Sequence, residues 1–194
     1  EIQEVNLNII YSPIASPKES LNKEFQMRFL KSISAVHNGV FSMNAKIPEL
    51  VETSNNLASI ILASGKLEIA CLTRSFSESG KLNLVDTIQS VFELASYGVE
   101  ISGDYPGWEP NPNTEICAIL DKTYQDLFKE KPNIMACHAG LECGILGTHY
   151  PTMEMISFGP TIRGAHSPEE KVNIKSTQKF WSYFLEILKR TPLK

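Results

Sequence analysis

The chain has 194 residues, 42% of them apolar and 21% charged, and a formal net charge of −4. That is the make-up of a soluble chain able to bury a core, in one ordinary domain or two small ones. The acidic balance offers no field to attract a nucleic-acid backbone, and no apolar run approaches the roughly 20 residues that span a bilayer, so neither nucleic acid nor membrane is an expected partner.

The start, Glu1-Ile2-Gln3-Glu4, is acidic and unlike a signal peptide, and it reads as the beginning of a piece cut from a longer chain. Val5 to Tyr11 is predicted as a short strand. A helix is predicted from Ser16-Pro17 through the stripe Leu21, Phe25, Phe29, Leu30, Ile33 and Val36, ending at Asn38-Gly39. After a loop through Ile47-Pro48, Thr53 to Ala63 and Lys66 to Phe76 flank Ser64-Gly65 as an antiparallel hairpin. Leu82 to Ala95 is helical by its apolar spacing, and Val99 to Ser102 reads as a closing strand. The order is β-α-β-β-α-β, the ferredoxin-like pattern, within a mixed α/β (α+β) fold class.

Asp104 to Asn113 (DYPGWEPNPN) is the best domain boundary, which divides the chain into residues 1–107 and 108–194. Beyond it the pattern predicts a helix over 114–128, strands over 133–137 and 153–158, and a helix over 176–189. Two strands are too few for an independent sheet, so the second half looks unfinished. The four cysteines, Cys71, Cys117, Cys137 and Cys143, form no CxxC pair. Three stand in apolar runs, as buried reduced thiols do, and the cytoplasm is the expected compartment.

Three places carry residues suited to chemistry. In MACHAGLECG (135–144) an apolar run meets a small-residue turn, where open α/β sheets place ligands; His138 and Glu142 are candidates there. Cys143 beside them invites a thiol reading, with His138 or His166 as its base. In SFGPTIRGAHSPEEKV (157–172), His166 stands in an irregular loop whose Ser167-Pro168-Glu169-Glu170 continuation pins the backbone, as suits a metal ligand or acid–base group. Arg74 interrupts an apolar strand and calls for a carboxylate, either a protein side chain or a substrate terminus; Asn56 lies on the neighbouring strand. His37 and His149, beside turn residues, read as structural or exposed.

The blocks VETSNNL (51–57), CLTRSFSESGK (71–81), YPGWEPNPN (105–113), PNIMACHAGLECGI (132–145) and SFGPTIRGAHSPEEKV resemble the aminoacyl-histidine (Xaa-His) dipeptidases. These form a branch of the co-catalytic zinc peptidases that includes carnosinases, tripeptidases and aminoacylases. The resemblance implies that residues 1–107 are the second half of a lid domain and 108–194 the C-terminal part of the catalytic domain. It implies hydrolysis of Xaa-His and similar dipeptides by a metal-activated water, with two divalent ions, zinc ahead of manganese or cobalt. The general base and most metal ligands of that family have no counterpart here, so the isolated chain is expected to be inactive. His166, in GAHSP, matches a metal ligand. Arg74 and Asn56 match substrate-carboxylate positions, and Gly140 and Glu142 belong to a substrate-contacting turn. A homodimer stays open, as do two other classes: a cysteine hydrolase using Cys143, and a non-catalytic interaction module built on the first half.

Overall fold

The computed structural model describes residues 8–17, 19–136 and 141–192. Helix α1 (Lys23–Ala35) opens where the Asn22 side chain accepts hydrogen bonds from the Glu24 and Phe25 amides. That cap, rather than Ser16-Pro17, sets the start, because its carboxamide satisfies amides that a helix end otherwise orphans. Gly39, at φ 105°, then turns the chain into β1 (Gly39–Met43), a strand the sequence pattern does not reveal. β2 (Val51–Ala63) and β3 (Lys66–Ser75) form the predicted hairpin. Ser64 and Gly65 both take positive φ (52° and 75°), as a two-residue hairpin turn of matching twist requires. The sheet runs β1-β2-β3, antiparallel throughout.

Helix α2 (Glu78–Leu94) starts four residues before its apolar stripe, because the Ser77 hydroxyl accepts from the Gly80 amide. Its buried face meets the sheet and α1 in one core of Val36, Leu84, Ile88 and Phe92, with Leu57, Ile69 and Cys71 packed against it. Helix α3 (Glu115–Phe128), helix α4 (Glu142–His149), the two-residue strands β4 (Ile162–Arg163) and β5 (Lys171–Val172), and helix α5 (Ile174–Arg190) complete the chain. A second core joins α3 to α5 through Leu120, Tyr183 and Ile187. The Tyr183 hydroxyl donates to the Leu120 carbonyl at 2.8 Å, and burial pushes its pKa up to about 12.

The architecture is the mixed α/β class the alternation predicts. Several strands of the pattern are nevertheless not strands: residues 8–11, 99–102, 133–136 and 153–158 pair with no ladder among the described residues, and 5–7 and Cys137 lie outside them. Apolar alternation marks a segment able to be a strand; only a hydrogen-bonded neighbour makes it one.

The proline-rich segment between the cores is tightly held. The Lys81 ammonium, on a side chain only 10% exposed, reaches Asp104 (2.6 Å), Glu78 (2.9 Å) and the Tyr105 carbonyl (2.8 Å). Burial works against its charge, but hydrogen bonds to Asp104 and Glu78 outweigh it and hold the Lys81 pKa above the ordinary lysine value. Gly107 lies against the Phe76 backbone, and Gly144 of α4 against the Pro106 carbonyl, closer than any Cβ would allow. Gly144→Ala therefore forces backbone apart and is expected to cost about 1–3 kcal/mol of stability despite gaining helix propensity of roughly 1 kcal/mol. Gly147→Ala on the same helix meets only the Met155 methyl at 3.4 Å and should be neutral or stabilising. Denaturant titration of the two variants checks the contrast.

Candidate functional site

The pairing of β2 with β3 sorts their side chains. Thr53 faces Ser75, Asn55 faces Thr73 and Leu57 faces Cys71 on the side covered by helices, while Ser54 faces Arg74 and Asn56 faces Leu72 on the other. The inner polar groups bond to one another: the Thr53 and Ser75 hydroxyls lie 2.9 Å apart, and Thr73 donates to the Asn55 carboxamide oxygen. Asn55 in turn donates to the His37 carbonyl at 2.7 Å. Of the adjacent asparagines, Asn55 is thus a fixed structural group and Asn56 an exposed one. Arg74 and Asn56 share the outer face as diagonal neighbours, a separation of about 7–8 Å between such positions. Neither side chain has a hydrogen bond or ion pair with the described residues. The structural carboxylate that would have explained Arg74 is not found among them.

His166 sits on the loop between β4 and β5, its imidazole exposed and its backbone at φ 65°. A left-handed backbone strains a non-glycine residue by on the order of 1–3 kcal/mol, and such positions cluster where function needs a fixed geometry. The loop is bonded internally. Ser167 donates through its hydroxyl (2.7 Å) and its amide (3.1 Å) to the Gly164 carbonyl. The Ser167 hydroxyl accepts from the Glu169 amide, and the Glu170 carboxylate accepts from the His166 amide at 2.8 Å. The pinned backbone that Ser-Pro-Glu-Glu suggests is present, with Glu170 as a fastening that spacing alone does not identify.

Glu142 is the first residue of α4, exposed, where a carboxylate is favoured by the amides of a helix N-terminus. His138 and Gly140 lie outside the described residues. Cys143 is half-buried; burial pushes its thiol pKa up and the Glu142 carboxylate adds to the rise. A nucleophilic cysteine needs the opposite shift. A cleft of about 1370 Å³, bordered by Trp108, Tyr124, Met135 and Phe158, is not lined by Asn56, Arg74, Glu142, Cys143 or His166. Its walls are helices α3 and α5 together with extended segments that pair with no ladder among the described residues, so it reads as an open side of the second core. Arg74 borders a smaller groove of about 750 Å³ lined by β3, the face of α2 that carries Val85, Ile88 and Phe92, and residues 97–105.

Among the described residues no three His, Cys, Asp or Glu side chains come together as a metal site. His166 fits one place in a donor set, as an exposed imidazole on a bonded loop, and the described residues do not complete the set.

The fold and these blocks agree with descent: a model of peptidase family M20/M25/M40 matches residues 9–190, and the chain belongs to that family. It is 39% identical over 192 residues to the cytosol non-specific dipeptidase of Escherichia coli, covering 99% of this chain and 40% of that protein. It superimposes on the aminoacylhistidine dipeptidase from Vibrio alginolyticus with a TM-score of 0.77 and 42% identity, over 93% of this chain and 37% of the other. The aminopeptidase PepT from Bacillus cereus shares the fold at TM-score 0.68 and 14% identity, over 84% and 44%. The chain thus spans about two-fifths of the length of the curated relative it matches.

The raised thiol gives a prediction. At pH 8, iodoacetamide should modify Cys143 in the folded chain several-fold more slowly than a free cysteine thiol, read by peptide mass spectrometry; faster modification would show an activated thiolate.

Proposed function

We propose that the complete protein containing this chain is a metal-dependent dipeptidase acting on Xaa-His and similar dipeptides in the cytoplasm. Membership of the peptidase family supports the reaction class, and the dipeptidase names of the two similar proteins support the substrate class. The observation that carries the reading is His166: a strained, exposed histidine in GAHSP, fastened by its own loop. In this reading its imidazole is one protein ligand of a two-ion centre, with zinc as the proposed metal. The chemistry such ions supply when bound is activation of a water and polarisation of the scissile carbonyl near neutral pH.

The remaining roles belong to this chain's side chains. Arg74 offers a planar fork that matches a carboxylate bidentately, and Asn56 lies beside it to donate a further hydrogen bond. Together they hold the C-terminal carboxylate of the dipeptide, and so measure its length. Glu142 and Gly140 contribute to a turn that reads the amino end. Residues 1–107 are assigned to the second half of a lid over the site and 108–194 to the catalytic domain; closure of a lid excludes water and completes the site.

His166→Ala in the complete protein should lower bound metal toward one equivalent and reduce turnover by more than the roughly 10–100-fold typical of changes to groups that merely support a ligand. Metal analysis of the purified variant decides it; full metal content with normal turnover would remove His166 from the centre. Arg74→Lys should lower kcat/KM by about 1.5–3 kcal/mol, since a point charge does not replace the fork. Steady-state kinetics check this, with unchanged kinetics and a lower Tm marking Arg74 as structural.

A further inference from the structure

The β4–β5 ladder has only two residue pairs, Ile162 with Val172 and Arg163 with Lys171. So short a ladder cannot by itself fix the loop it carries. The loop's own bonds divide into two sets. Those of Ser167 shape the turn around Gly164 and Glu169, hold the Glu170 backbone through its amide at 3.1 Å, and do not reach His166. Among the described residues, the bond that His166 itself makes is from its amide to Glu170 Oε2, a carboxylate acceptor across the loop. Charge-assisted bonds of this kind are about twice as strong as neutral ones.

The bond matters because of where it acts. At φ 65° the His166 backbone occupies a region that L-residues leave readily, and rotation back to negative φ would swing the Cα–Cβ bond and carry the imidazole with it. A carboxylate holding the amide resists that rotation. The acceptor touches the backbone, not the ring, so it acts on the direction of the imidazole rather than on its tautomer.

We infer that Glu170 is a positioning residue, which latches the left-handed His166 backbone and thereby aims its imidazole at the metal. This rests on the reading of His166 as a metal ligand, and adds a residue whose effect on metal binding is indirect.

The test uses the complete protein and three variants: His166→Ala, Glu170→Ala and Glu170→Gln. Zinc alone is the probe, its affinity measured by competition with a chromophoric chelator, while hydrogen–deuterium exchange follows the peptide spanning 163–172. Glu170→Ala should weaken one zinc by about 10–100-fold, the range for loss of a group that orients a ligand, and speed exchange in that peptide. Glu170→Gln keeps a carbonyl acceptor and should bind zinc within about threefold of the parent. His166→Ala should lose that zinc altogether. If His166→Ala keeps both ions, the metal-ligand reading fails and the inference with it. If His166→Ala loses zinc while Glu170→Ala binds it normally, the latch alone is overturned. Equal weakening in Glu170→Ala and Glu170→Gln would also overturn it, since charge rather than backbone capture would then be responsible. Matching Tm values across the variants tie any loss to the loop.

Discussion

The register between β2 and β3 is the constraint on which the first half depends. Alternation along the two strands assigns Thr53, Asn55, Leu57, Cys71, Thr73 and Ser75 to the helix-covered face and Ser54, Asn56, Leu72 and Arg74 to the open one. A slip of one residue would exchange the two sets, burying a guanidinium and exposing the hydroxyls and carboxamide that bond beneath the helices. The Ser64-Gly65 turn and the apolar packing of Leu57, Ile69 and Cys71 against α2 prevent the slip. Arg74 is thus placed outward by what its neighbours require, on a face where no carboxylate among the described residues pairs with it.

The second half places its candidate residue by a different device. No long ladder or helix carries His166; a loop closed by its own hydroxyl and carboxylate does. Between the halves, the Lys81 ammonium and the close approaches at Gly107 and Gly144 fasten the proline-rich segment to α2, to the end of β3 and to α4. Prolines there limit the chain's freedom, and the glycines let backbone meet backbone.

Much of this was legible in the residues. The β2–β3 hairpin, α3 and α5 follow from apolar spacing and their turn or cap residues, and all three fall within a few residues of the predicted bounds. Helix α4 was not legible, because Glu142-Cys143-Gly144-Ile145-Leu146-Gly147 has no apolar period and two poor helix formers. Helix α1 starts later than Ser16-Pro17 predicts, because the Asn22 side chain caps the Glu24 and Phe25 amides. Segments 99–102 and 153–158 have strand-like composition, yet composition cannot supply the neighbour that a ladder needs. At the site, the residue types at 56, 74, 142 and 166 suggested binding chemistry. The positive φ of His166, its bond to Glu170 and the division of labour between Asn55 and Asn56 are properties of three-dimensional register, and a pattern of letters does not contain them.

The central claim is that Arg74 and His166, on separate elements of this chain, serve one ligand in the complete protein. It is tested most directly by a crystal structure of that protein with zinc and a non-hydrolysable dipeptide analogue, recorded at the zinc absorption edge. The account predicts His166 nitrogen about 2.0–2.1 Å from an anomalous peak, the zinc–imidazole distance, with the Arg74 guanidinium paired to the analogue's terminal carboxylate. An anomalous peak with no nitrogen of His166 in its coordination shell, or a carboxylate held by other groups while Arg74 faces solvent, would contradict it.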